Sequence, residues 1–292
     1  DANDIVAVPA SWWSGYAFSE NDHGLIMETG YSYCIEAMVG LDWFSENHGE
    51  VGAVAAVGYP GDYGGDSAAG ATLWAEANGV ENVTVIPTGP NQITGGQDAV
   101  VSAVMAAQPD VVLLAVGPAE NAEIVGKLAA GGFTGRFLGS LPTWNPALLD
   151  SAAAPALIGL YNHLAPTEQW DGTSAGVEAM KESLGGELPP NGGYIIGWVM
   201  NYPMHALLEK AAEGGDLTRA GLRAAMDGLE VDFDGMAEAI TYGGEGADVA
   251  VSGVIVGTPN AEAPLGIETT NEFFHGPTFD QAGYAQACSA SS

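Results

Sequence analysis

The sequence predicts an α/β protein in which parallel sheets are flanked by helices and the chain is divided between two lobes. Three observations carry this. From Glu50 onward short apolar runs alternate with helical patterns; a long helical stretch then interrupts the alternation; and short strands with glycine-rich turns return from Val231. A chain of 292 residues is also long enough for two domains and a sizeable core.

Taken in order, the first 48 residues hold a strand, DIVAVPA, a helix-like AFSENDHG, a short strand, LIMETG, and a helix, CIEAMVGLDWFSENHG. That is too little for a lobe by itself, so this segment is expected to pair with the helical block between Pro166 and Gly243. VGAVAAVGY then reads as a buried strand and DSAAGATLWAEANG as a helix ended by glycine; NVTVIP is a strand and QDAVVSAVMAAQ a helix. DVVLLAVG is the next strand with AENAEIVGKLAAGG its helix, and RFLGSLP another strand with PALLDSAAA a short helix. Such a βα series implies a parallel sheet with right-handed crossovers and helices on both faces. LIGLYNHLAP, Leu157 to Pro166, reads as a fifth strand that ends in a proline break. The helical block follows as SAGVEAMKESLGG, GGYIIGWVMNYPMHALLEKAAEGG and LTRAGLRAAMDGL, with Pro203 expected to kink the middle helix or mark its start. AITYGG and VSGVIVG are the returning strands.

Charge removes one function class. Six Lys+Arg against 37 Asp+Glu leave a formal net charge of -31, which repels phosphate backbones and anionic membrane surfaces, so nucleic acid is not an expected partner. Only 15% of residues are charged, against roughly 25% in ordinary soluble domains, so the acidity reflects missing Lys and Arg more than acidic blocks. A salty extracytoplasmic setting and a highly soluble secreted protein both fit this balance. The longest apolar runs, such as Val111 to Val116, are strand-sized, far short of the roughly 20 residues of a membrane span.

Two cysteines, Cys34 and Cys288, are too few for a disulfide scaffold and lack metal-ligand spacing; they either form one bridge in an oxidising compartment or stand as separate thiols. The histidines are scattered without HExxH, which argues against a zinc site, and no cofactor is implied. GYSYC is a degraded GxSxG before a helix, a serine-hydrolase signal centred on Ser32 that lacks an ordered His and acid partner. VDFDG resembles the start of a calcium loop without its later ligands, and GYPGDYGG fits neither GxGxxG nor a P-loop. In SWWSGYAF, Ser11 to Phe18, adjacent tryptophans would point to opposite faces of a strand, so at least one indole should be exposed or face a ligand.

Three stretches resemble the type I periplasmic solute-binding proteins of the branched-chain amino acid and amide class, the extracytoplasmic receptors of ABC importers. They are SWWSGYAFSENDHGLIMETGYS, VGAVAAVGYPGDYGGDSAAG and FDGMAEAITYGGEG. The resemblance implies two lobes joined by three hinge crossovers, closing over a small solute, with an ABC permease as the membrane partner and no enzymatic step. It places 1–48 plus 166–245 in the N-terminal lobe and 49–165 plus 246–292 in the C-terminal lobe, with hinge strands at Glu46 to Glu50, His163 to Thr167 and Gly243 to Val249. Family members normally begin with further βα units, so the N-terminal lobe is expected to be incomplete at its start. A periplasmic or extracellular monomer follows, anchored to the membrane if a lipidated segment precedes it.

The same resemblance singles out ligand residues. Ser14, before Gly15 and a helix, can cap that helix while the following N–H groups hold an anionic group, or it can be a cap without a ligand. Matching positions put Tyr31 and Tyr33 at the same ligand end and Tyr63 on the opposite lobe, against the alternative of packing at lobe edges. Where amino-acid-binding relatives carry an acid, this chain reads SLPTWN, so Leu141 and Trp144 present apolar surface instead. Glu120 can substitute for that acid, although a carboxylate in a first helical turn also simply suits the helix dipole. Trp12, Trp13, Tyr31, Tyr33, Tyr63 and Trp144 at strand ends would form an aromatic cleft for a flat aromatic, branched apolar or cationic solute. A ligand-sensing regulatory protein of the same fold is the alternative function.

Overall fold

The alternation of apolar runs and helical patterns resolves into a seven-stranded sheet in the computed structural model, which describes residues 5–290. In chain order the strands are β1 (Ala53–Gly58), β2 (Asn82–Pro87), β3 (Val111–Ala115), β4 (Arg136–Gly139), β5 (Tyr161–Ala165), β6 (Glu230–Val231), β7 (Ile240–Thr241), β8 (Val254–Pro259) and β9 (Ile267–Phe274). The sheet order is β2-β1-β3-β4-β5-β8-β9; the first five strands are parallel, and β8 and β9 are antiparallel to their neighbours. β6 and β7 make a separate antiparallel pair.

Period-two alternation sends each strand into two cores. Val54, Ala56, Leu113, Leu138 and Leu164 enter one, with helices Tyr33–His48 and Gly64–Asn78. Ala55, Val57, Val112, Leu114, Phe137 and Tyr161 enter the other, with helices Asp98–Ala107, Pro118–Ala130 and Ala154–Leu160. All five residues of β3 are buried, as the centre of a sheet covered on both faces requires.

Helix Tyr33–His48 starts at Ser32, whose hydroxyl accepts from the Ile35 N–H at 3.4 Å. Every residue from Tyr33 to Phe44 is buried. A helix apolar all round belongs inside, and this one is enclosed by the sheet, helix Gly64–Asn78 and helix Pro277–Ala282. Gly70 permits the approach: a Cβ there would come within 2.2 Å of the Cys34 carbonyl oxygen.

A third core belongs to a smaller body. Helices Ala175–Ser183, Gly193–Val199, Tyr202–Glu213 and Arg219–Met226 pack with the β6–β7 pair, joined by Val6, Leu25 and Met27. Pro203 lies in the first turn of Tyr202–Glu213, so it starts a helix instead of kinking one.

Several expectations are corrected. Helix Tyr33–His48, grouped by sequence with 166–245, packs on the sheet of the 49–165 segment, because its apolar surface runs round its whole circumference and only the sheet layer encloses it. Core membership along the chain changes between 8 and 17, between 18 and 25, between 27 and 31, between 164 and 170, and between 242 and 249. The last two changes lie beside His163–Thr167 and Gly243–Val249, whereas Glu46–His48 ends a packed helix. Of the strand expected over 4–10, position 4 lies outside the described residues, and the rest contributes one parallel bridge, Ala7 to Ile26. The fifth strand begins at Tyr161, not Leu157, because Pro155 in the first turn starts helix Ala154–Leu160.

Candidate binding cleft

Ligands of open α/β sheets bind outside the carboxyl ends of the strands, which selects between two cavities at opposite ends of the parallel strands. One, of about 320 Å³, lies at the amino ends, among Phe44, Gln108, Phe133 and Arg136. The other, of about 460 Å³, follows the carboxyl end of β4 and lies within the size range of small-molecule sites.

The larger cavity joins the two bodies. From the sheet layer come Leu141, Pro142, Trp144 and Asn145 after β4, His163 on β5, and Leu265 and Ile267 at the start of β9. From the smaller body come Gly193, Ile196, Gly197 and Met200, whose spacing is that of a single helical face. Ala10, Trp12, Gln169 and Asn191 complete the wall with Gly192. Among the described residues no Asp, Glu, Lys or Arg lines it, in a chain of net charge -31. Trp144 is held in place by its indole N–H donating to the Leu265 carbonyl at 3.0 Å, and it stacks on Tyr161 at 5.8 Å.

The predicted residues divide. Trp12 and Trp144 line the cavity. Tyr33 and Tyr63 stand behind Trp12 in a chain of ring contacts, Trp12 to Tyr33 at 6.0 Å and Tyr33 to Tyr63 at 4.6 Å. The Tyr63 hydroxyl donates to the Val116 carbonyl, and burial raises the Tyr33 hydroxyl well above its ordinary pKa. Tyr31 is buried and donates to Glu36 at 3.2 Å. Glu120 is also buried, accepting from the Tyr59 hydroxyl at 2.7 Å and the Asn91 N–H at 2.8 Å, away from the cavity wall.

Trp13 and Ser14 face the other way. Both tryptophans are 7% exposed, so neither indole is left in solvent; the segment is not a strand but runs into a 3-10 turn, Ser14–Ala17. Trp13 donates to the Ser289 carbonyl at 3.1 Å and covers Gly15, where a Cβ would come within 2.2 Å of the ring. Ser14 does not cap its turn. The corner does hold a carboxylate, but it is the chain's own: Asp66 accepts from the Ser14 N–H at 3.0 Å and from its hydroxyl at 2.5 Å. Asp66 also accepts from the Cys34 N–H and the Ser289 hydroxyl, while burial raises its pKa. Cys34 and Cys288 are bridged, their Cα atoms 6.3 Å apart. Ser32, the serine of GYSYC, is a helix cap that also lies 3.2 Å from the Tyr284 hydroxyl.

Sequence reasoning missed Glu36 and His163. Glu36, 1% exposed, has its pKa lifted to about 7 by burial, opposed by the Leu141 N–H and Tyr31 hydroxyl that it accepts from. Its signal was an acid in the first turn of a helix, flanked on both sides by apolar residues. His163, likewise buried, is pushed down to about 3 by desolvation and stays neutral; nothing in YNHLA distinguishes it from a core histidine. Among the described residues no group of His, Cys, Asp and Glu is placed to hold a metal ion, and no helix is long and apolar enough to cross a membrane.

The pattern of the periplasmic binding protein family matches residues 1–258. No curated protein matches the chain. Among solved structures, a fatty acid ABC transporter substrate-binding protein from Thermomonospora curvata superposes with a TM-score of 0.83 at 23% identity, covering 97% of this chain and 72% of that one. A branched chain amino acid ABC transporter protein from Thermus thermophilus with bound valine gives 0.74 at 19% identity, over 97% and 75%. A solute binding protein from R. palustris in complex with benzoate gives 0.63 at 16%, over 87% and 68%. At these identities the likeness is one of fold.

Proposed function

The chain belongs to the periplasmic binding protein family, and from that premise we propose that it captures a small, largely apolar solute in the cavity of about 460 Å³ between its two bodies and delivers it to an ABC permease. The observation that carries this reading is the wall itself: two tryptophans, Leu141, Ile196 and Met200 with several amides, and no charged side chain among the described residues. A free α-amino acid needs partners for two opposite charges, and burying either unpaired is expensive. An aromatic, branched or long-chain solute needs only apolar surface and one or two polar anchors. The neighbours described with fatty acid and benzoate fall in that range, whereas the valine described with a third is a free α-amino acid. Closure would come from rotation of the smaller body about the chain passages between it and the sheet layer.

The test is a thermal-shift screen of aromatic acids and amides, fatty acids, branched-chain amino acids and polyamines. A ligand specific to the folded state raises the melting temperature. The expected outcome is a shift with apolar compounds that Leu141→Asp abolishes; shifts indifferent to that substitution would remove the solute from this cavity.

A further inference from the structure

The cavity wall contains a polar atom whose hydrogen-bonding state is set by the groups behind it. Thr143 Oγ1 lies 2.6 Å from the Ser140 carbonyl oxygen and 2.6 Å from the Tyr161 hydroxyl, and that hydroxyl lies 3.1 Å from His163 Nδ1. A carbonyl oxygen can only accept, and each hydroxyl has one proton. Thr143 therefore donates to Ser140 and accepts from Tyr161. With its proton committed to Thr143, Tyr161 can only accept from the histidine, so Nδ1 carries the imidazole proton. Burial keeps the ring neutral, its pKa pushed down to about 3. A neutral imidazole protonated on Nδ1 presents a bare acceptor at Nε2. His163 lines the cavity, and among the described residues Nε2 has no protein partner.

We propose that His163 is a specificity-determining residue of the cleft: its Nε2 accepts a hydrogen bond from the solute, which is therefore an apolar molecule bearing a neutral N–H or O–H donor, of the amide, alcohol or phenol class. The inference rests on the cleft reading above. A carboxylate placed against Nε2 would bring two acceptors together, and neither lone pair would gain a proton, since the imidazole is held neutral by burial and cannot supply one. Thr143, Tyr161 and Ser140 act as positioning residues. They are buried, and their contribution is to fix which nitrogen faces the solute.

The experiment uses three probes built on one phenyl ring: benzamide, N,N-dimethylbenzamide, which lacks the N–H donor, and benzoate. Calorimetric titration at about pH 7.5 is expected to show benzamide binding roughly tenfold more tightly than either of the others, the factor typical of one satisfied buried hydrogen bond. His163→Phe should bring benzamide and its dimethyl analogue to similar affinities. Should that variant fail to fold, the imidazole ¹⁵N shifts of the wild-type protein give an independent reading, expected to show the Nδ1–H form. Equal affinities for benzamide and dimethylbenzamide in the wild type, or an imidazole protonated on Nε2, would overturn the proposal while leaving the cleft intact. If none of the three binds while another compound of the thermal-shift screen does, this inference is overturned and the cleft reading stands; if no screened compound binds, both fail.

Discussion

The carboxylate of Glu36 accepts the backbone N–H of Leu141 at 3.3 Å, so the first turn of helix Tyr33–His48 holds the segment that forms one wall of the cleft. Burial lifts Glu36 from 4.5 to about 7. Because the folded value is raised, the contribution to stability is complete below about 4.5 and is lost as pH climbs through about 7. Glu36→Gln is therefore expected to be more stable than wild type near pH 8, by on the order of 3 kcal/mol, with the difference shrinking toward zero near pH 4. Urea denaturation of both proteins across this range checks it; a pH-independent difference would contradict the assignment.

Asp66 gathers donors from three distant segments: Ser14, Cys34 and Ser289. Asp66→Ala leaves several of these buried without an acceptor, so the expected loss is about 3–5 kcal/mol. Chemical denaturation measures it, and Asp66→Asn, which keeps one acceptor oxygen, should lose less.

Cys34 and Cys288 close a span of 254 residues. In the chain-entropy account a loop of this length contributes up to about 5 kcal/mol, so the paired Cys34→Ser, Cys288→Ser variant should lose about 2–5 kcal/mol. Limited proteolysis should then cut near the carboxyl end first, whereas wild type should resist until reduced.

Trp12 and Trp13 should separate cleanly under mutation. Trp13→Ala removes a buried ring that packs on Gly15 and the tail, and should cost about 3–5 kcal/mol with little change in ligand affinity. Trp12→Ala should weaken solute binding roughly tenfold or more, since its ring forms part of the cavity wall. Titration calorimetry beside thermal melts distinguishes the two effects, and the reverse pattern would exchange their roles.

How much of this was legible in the sequence depended on distance along the chain. β1 and β3 are runs of consecutive small or branched apolar residues between turn signals, a pattern that local reading resolves. Trp144 was singled out because it follows a strand end, and it lines the cavity. Ser14 could not be assigned, since its partner Asp66 stands 52 positions away, and Trp13 bonds to Ser289 across 276. The Ser-Gly turn did carry the right chemistry, an affinity for a carboxylate, without saying whose. Helix Tyr33–His48 was placed in the wrong layer because chain order suggested a neighbour that its encircling apolar surface overrules. His163 gained its meaning only from Tyr161 and Thr143, contacts that no spacing rule records.

The binding of Ser14, Cys34 and Ser289 around one carboxylate, with the Cys288 N–H donating to the Ser14 hydroxyl, has a consequence for how the molecule opens. Segments 12–15, 32–35 and 284–289 share their buried polar partners, so none can detach without stripping the others of theirs. Fraying at either end of the described chain is thereby converted into a single cooperative event. In amide hydrogen exchange, the N–H groups of Ser14, Cys34 and Cys288 should lose protection together and at one common free energy, as members of one unfolding unit although they are far apart in sequence.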